Sequence, residues 1–236
     1  MPGPDRTYAE IARAESPRGE LVLGRRTNPG AADVVELRVN GVFVMDTLET
    51  STELELAGVA LDLVPDPRDV VIGGLGLGFT LQRVLADVRV ERATVVEIEE
   101  SLVAWMRDGT VPHGPALLAD RRVRIVNADI LMAIAEARDT HDLLLLDVDN
   151  GPGYLVHDDN ADVYGREFLA RCRDVLNDQG VLVVWSAARS PELLATLEDV
   201  FGAAEERSYD VLLQDRPEEY FLYVARRSGA TVPPPG

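Results

Sequence analysis

"DVVIGGLGLGFTLQRVLADVRVERATVVEIEE", residues 69–100, decides the fold. A short apolar run, 69–74, passes straight into glycines. A helical pattern follows over 79–88, and then a second apolar run, 92–99, that ends in acids. Strand, glycine turn, helix and strand in this order make one parallel β-α-β unit. Downstream the alternation continues, with strands at 122–129, 142–148 and 180–187. Helical patterns lie at 101–109, 130–138, 161–177 and 190–202, the last with Ser190 as N-cap and Pro191 at its first position. Strands apolar on both faces and alternating with helices form a doubly wound, mostly parallel sheet. Two late strands, near 204–211 and 220–226, have no helix between them and read as a closing antiparallel hairpin.

Upstream the pattern is different. Residues 20–26, 33–39 and 42–46 read as strands, and Asn40-Gly41 is the tight-turn signal of a hairpin. The expected organisation is a flexible start over 1–18 and an antiparallel β subdomain with a linking helix over 19–62. The main α/β domain covers 63–227, and a disordered tail 228–236.

Composition narrows the partners. The chain has 236 residues, 46% hydrophobic and 27% charged, with a net charge of −18. That charge repels phosphate backbones and anionic lipid, so neither nucleic acid nor membrane is expected, whereas a cationic amine is attracted. No apolar run reaches the ~18 residues of a membrane span, and no secretory signal is visible. Cys172 is the single cysteine, which excludes an internal disulfide and a cysteine zinc site. A cytoplasmic enzyme is expected.

In such sheets the ligand sits beyond the carboxyl ends of the strands, where the strand order reverses. Four stretches converge there. Gly73, Gly74, Gly76 and Gly78 let backbone approach a ligand closely, but G-x-G-x-G is not the dinucleotide fingerprint, because Phe79 occupies the place of its third glycine. Glu97, followed by Ile98, ends the second strand, where an acid accepts the hydroxyls of a ribose. Asp129, followed by Ile130, ends the third, within reach of an adenine amino group. Asp147 ends the fourth, after four leucines, and opens "DVDNGPG" with Asp149 and Asn150. Burial of Asp147 would raise its pKa and suit it to act as a base. Tyr154 and Trp185 are candidates for the wall of a substrate pocket. "DVDN" offers oxygens to Mg²⁺, but "VVWSAARS" at the end of the next strand adds no ligand, so no metal is expected. His113 reads as a surface residue in a Pro-Gly turn.

The series "VVIGGLGLG…TVVEIEE…RVRIVNADI…DLLLLDVDNGP" resembles the spermidine synthase family of aminopropyltransferases, within the class I S-adenosylmethionine-dependent methyltransferase fold. The resemblance covers roughly residues 19–210. It implies a Rossmann-like, mostly parallel seven-stranded sheet with an antiparallel final strand, behind a small N-terminal β subdomain. It also implies a donor of the S-adenosylmethionine or decarboxylated S-adenosylmethionine type. Glu97 matches the family's ribose-binding acid, Asp129 its adenine-binding acid and Asp147 its catalytic acid. A homodimer is the least direct implication.

The departures lie on the amine side. The family's loop reads GGGDGG, and Gly76 replaces its acid. The second acid of the family's DSSDP motif falls on Asn150 or is displaced to Asp149. The Tyr-His-Glu or Tyr-Gln-Glu motif expected after Asp46 is replaced by "TLETSTELELA", without Tyr or His. Loss of the loop acid removes repulsion on the donor's carboxylate, which tips the expectation slightly toward methyl transfer from S-adenosylmethionine to an amine-type or other small acceptor. The alternatives are a true aminopropyltransferase making a polyamine and a non-catalytic member that kept the fold.

Overall fold

The computed structural model describes residues 7–27, 30, 32–153, 155, 158–214 and 216–228. Four strands open the chain as an antiparallel meander: β1 (Thr7–Ser16), β2 (Gly19–Thr27), β3 (Val34–Val39) and β4 (Val42–Asp46). β1 corrects the expectation of a flexible start over 1–18. It pairs with β2 along its whole length. As an exposed edge strand it needs little apolar content, so "TYAEIARAES" carries no strand pattern. Residues 229–236 of the expected tail lie outside the described residues.

Asp46 turns the chain out of β4. Its Oδ1 accepts from the backbone N–H of Leu48 at 2.8 Å and of Glu49 at 3.0 Å. Its other oxygen is paired with Arg26, which also meets Glu36 at 3.1 Å. The chain then enters α1 (Ser51–Leu63), the expected linking helix.

The second sheet follows the alternation closely. Its elements are β5 (Asp69–Gly73), α2 (Phe79–Leu85), β6 (Arg92–Glu97), α3 (Glu100–Asp108), α4 (Gly114–Leu118), β7 (Val123–Asn127), α5 (Ile130–Glu136) and β8 (His141–Leu146). After them come α6 (Arg166–Asp174), β9 (Leu176–Ser186), α7 (Pro191–Phe201), β10 (Ala204–Leu213) and β11 (Arg216–Arg226). The strand order is β10-β11-β9-β8-β5-β6-β7, parallel except for β11, which runs antiparallel to both its neighbours. The expected α/β fold with an antiparallel final strand is therefore present. The order reverses between β5 and β8, which puts the crevice of the sheet at their carboxyl ends.

The four leucines of β8 now have a reason. Leu143 and Leu145 face one apolar cluster, Leu144 and Leu146 the other, and all four are essentially inaccessible. A central parallel strand buries both faces and so needs no polar alternation. The first cluster also takes Leu21, Leu23, Val35 and Leu37 from the N-terminal sheet and Leu56, Ala57 and Ala60 from α1. One core thus takes residues from both sheets and from α1.

Two boundaries differ from expectation. The helical pattern over 161–177 is divided by Gly165, with a 3₁₀ segment, Asp158–Tyr164, before it and α6 after it. The "TVPHGP" turn leads into the short helix α4. His113 is partly buried there, not a surface residue. Its Nε2 lies 2.6 Å from the carbonyl oxygen of Leu77, and its ring tilts against Phe79 at 5.3 Å. It braces the glycine loop from outside.

Candidate active site

The glycine loop leaves β5 and must pass under the segment that leaves β8. Gly74 makes this possible. Its φ is +91°, and a Cβ there would overlap the carbonyl oxygen of Asp147. The two segments are tied at the same point, since the N–H of Asp147 donates to the carbonyl of Gly73 at 2.9 Å. Gly76, at φ +49°, sits against the Met45 sulfur of β4, which also accepts from the N–H of Leu77 at 3.2 Å. Gly73 closes β5, and Gly78 is the N-cap of α2. These two shape the loop from behind, whereas Gly74 and Gly76 face the ligand space.

Glu97 holds the loop from the next strand. Its two carboxylate oxygens accept from the backbone N–H groups of Leu75 and Glu99, each at 2.8 Å. Burial raises its pKa, and those two backbone bonds pull the other way. Each oxygen keeps a further lone pair, so the side chain is oriented without being saturated. Asp129 caps α5 by accepting from Leu131 N–H at 2.8 Å. Gly74, Gly76, Glu97, Ile98, Asp129 and Ile130 all line one cleft, together with Asp147 and Asp149. The cleft is open to solvent and its cavity volume is about 150 Å³. The N-terminal sheet covers it with Leu21, Leu37, Val39 and Val44.

Asp147 stands where that cleft meets α2 and α1. Its Oδ2 accepts from the Thr80 hydroxyl at 3.1 Å. Burial pushes its carboxyl up to about 6, against the bond from Thr80. The backbone then bends sharply. Asp149 has φ +63°, its Oδ1 accepts from Asn150 N–H at 2.7 Å and its Oδ2 from Asn160 Nδ2 at 2.6 Å. Arg18, from the β1–β2 turn, donates to Asn160 Oδ1 at 2.7 Å and lines the cleft. Asn150 does not line the cleft. Its carbonyl accepts from Ala187 N–H at 3.1 Å, which joins the turn to the end of β9. Tyr154 lies outside the described residues. Trp185 does not line the cleft either. It is buried, its Nε1 donates to Thr52 Oγ1 at 3.1 Å, and its ring meets Tyr220 edge-on at 5.0 Å.

Glu53 escaped the sequence reading. It is 8% exposed in the first turn of α1, and its Oε2 accepts from the Thr52 hydroxyl at 3.2 Å. Burial first, and the charge on Asp147 second, push its carboxyl up to about 8. The signal was present in the helical spacing. Glu53 precedes Leu56 by three residues, Ala57 by four and Ala60 by seven, and so shares their buried face.

Residues 49–199, from just before α1 into the last turn of α7, match the family model of the spermine/spermidine synthase domain. The chain belongs to the spermine/spermidine synthase family. Among its relatives, a polyamine aminopropyltransferase of Saccharolobus solfataricus is 26% identical over 204 residues, covering 82% of this chain and 65% of the relative. That of Pyrobaculum calidifontis is 28% identical over 172 residues, covering 72% and 57%. This family member therefore spans less than two thirds of these relatives' length. Its fold is that of a spermidine synthase crystallised with the transition state analogue AdoDATO, with a TM-score of 0.77, 21% identity and coverage of 93% of this chain and 74% of that one. The spermidine synthase of Thermotoga maritima gives a TM-score of 0.74 at 20% identity, covering 93% and 73%.

Proposed function

We propose that this protein is a transferase that moves an aminopropyl group from decarboxylated S-adenosylmethionine to a small cationic amine. The observation that carries this reading is Asp147. It is a partly enclosed carboxylate with a raised pKa, held by Thr80 at the junction of the cleft and a second buried acid, Glu53. The ionised form of Asp147 opposes the carboxylate of intact S-adenosylmethionine and favours donor and acceptor groups that are cationic. The preference for methyl transfer rested on the absence of a loop acid at Gly76. The names of the relatives support aminopropyl transfer instead.

The residues present fit such a donor. Close approach at Gly74, spare lone pairs on Glu97 and an apolar pair, Ile98 and Ile130, suit an adenosyl group with a ribose. The bound donor supplies a carbon activated by a positive sulfur, and substitution there leaves the bonding electron pair on sulfur as a neutral thioether. Glu97 orients the ribose, Asp129 the adenine, and the glycine loop backs the sulfur side. Asp147 holds the acceptor nitrogen in line with that carbon and takes its proton as the new C–N bond forms.

Donor choice is testable by thermal unfolding. At about 100-fold excess over Kd, bound donor adds roughly 2.7 kcal/mol, or about 5–10 °C for a domain of this size. We expect the decarboxylated donor to give this shift at a concentration at least ten-fold lower than S-adenosylmethionine. The reverse order would overturn the reading.

A further inference from the structure

We propose that Arg18 is a positioning residue of the cleft: acting through the Asn160 amide, its guanidinium fixes Asp149, so that the N-terminal sheet and the segment after β8 are locked together around the bound donor. The inference rests on the donor reading given above and names the residues that hold that site in shape.

Arg18, Asn160 and Asp149 come from three separate elements, and all three line the cleft. Arg18 belongs to the turn between β1 and β2, Asn160 to the 3₁₀ segment, and Asp149 lies two residues past Asp147. Arg18 Nη2 donates to Asn160 Oδ1 at 2.7 Å, and Asn160 Nδ2 donates to Asp149 Oδ2 at 2.6 Å. The amide therefore turns its oxygen to a cation and its nitrogen to an anion. Both bonds are charge-assisted, and each charge favours the amide orientation that the other needs. Fully solvated contacts of this kind contribute little, but these three side chains are half-buried. Asp149 also has φ +63°, a backbone state that a residue with a side chain keeps only when its contacts hold it there.

The turn is built to present Arg18. Its N–H donates to Ser16 Oγ at 3.1 Å, and its carbonyl accepts from Asn40 Nδ2 at 3.2 Å. Gly19 follows at φ +119°, where a Cβ would overlap the Asn40 side-chain oxygen. Ser16 Oγ donates in turn to Glu99 Oε1 at 3.1 Å, and Glu99 N–H is one of the two groups that orient Glu97. A single turn thus reaches the segment after β6 through Ser16 and the segment after β8 through Arg18. This relay bonds wall residues to one another, whereas the Asp147 carboxylate is held separately by Thr80. Its loss weakens the bound donor and the transition state alike, which raises KM and spares kcat.

The test compares wild type with Arg18→Met, which keeps the stem and removes the donors, with Asn160→Ala, with the double variant and with Arg18→Lys, which keeps one donor for the amide. Binding of the thioether 5′-methylthioadenosine is measured calorimetrically, and KM and kcat are measured with the decarboxylated donor. For Arg18→Met and Asn160→Ala we expect thioether affinity to fall about ten-fold, the size of one lost charge-assisted bond, with donor KM rising in step and kcat within about two-fold. The double variant should bind no more weakly than Asn160→Ala, since the relay is already broken. Arg18→Lys should stay within about three-fold of wild type, and the ligand-free unfolding midpoints should move by no more than about 3 °C. Wild-type thioether affinity in Arg18→Met, or single losses that add in full in the double variant, would overturn the proposal. A wild type that binds no thioether would overturn it together with the donor reading. A wild type that binds thioether and loses it in the variants as expected, yet transfers no aminopropyl group, would sink the reaction and leave the relay standing.

Discussion

Asp147→Asn is expected to abolish nearly all of the proposed transfer while leaving donor binding almost intact. The amide keeps the shape and can still meet the Thr80 hydroxyl, but it cannot take a proton. Loss of a positioned base lowers kcat by about 10²–10⁴-fold, and donor affinity should stay within about three-fold, because the change acts on the transition state more than on the bound ground state. The pH profile gives a second readout. Burial raises the carboxyl to about 6, so the ionised, active form gains as pH passes through that value. Wild-type kcat/KM at fixed low acceptor concentration should rise across that range, and this limb should vanish in the variant. Equal losses of turnover and donor affinity would instead make Asp147 a donor ligand.

Gly74→Ala has the second large effect, and it acts on fold and site together. A methyl group at residue 74 has no room, since it would overlap the carbonyl of Asp147, and the φ of +91° disfavours any side chain. The loop cannot yield, because Gly74 N–H is bonded to Val96 and Gly73 carbonyl to Asp147. Strain and overpacking together cost on the order of 3 kcal/mol, which lowers the unfolding midpoint by roughly 6–12 °C. Donor affinity falls as well, because the shift moves Asp147 and the floor of the cleft. A variant as stable and as tightly donor-binding as wild type would show that loop and strand end are not interlocked.

What the sequence disclosed, and what it hid, follows from period and distance. The β5 to β9 alternation was readable because strands buried on both faces form unbroken apolar runs, and Leu143 to Leu146 are the clearest. Glu97, Asp129 and Asp147 were readable because a parallel sheet brings successive strand ends to one edge. Glu53, Thr80 and Arg18 were not found. Each reaches the site from an element whose docking is set by tertiary packing, namely α1, α2 and the β1–β2 turn. The missing Tyr-His-Glu pattern drew attention to what 47–57 lacked, while Glu53 within it stood on the buried face of a helix. β1 was missed because an exposed edge strand needs no apolar period, and Trp185 was drawn toward the pocket although it is enclosed behind Thr52.

Product analysis tests the central claim most directly. Purified protein is incubated with a diamine and, separately, with decarboxylated S-adenosylmethionine or S-adenosylmethionine, and both products are identified by mass spectrometry. The account predicts that the diamine gains one aminopropyl group, with 5′-methylthioadenosine formed in equal amount, only from the decarboxylated donor. A methylated amine with S-adenosylhomocysteine, or no transfer from either donor, would contradict it.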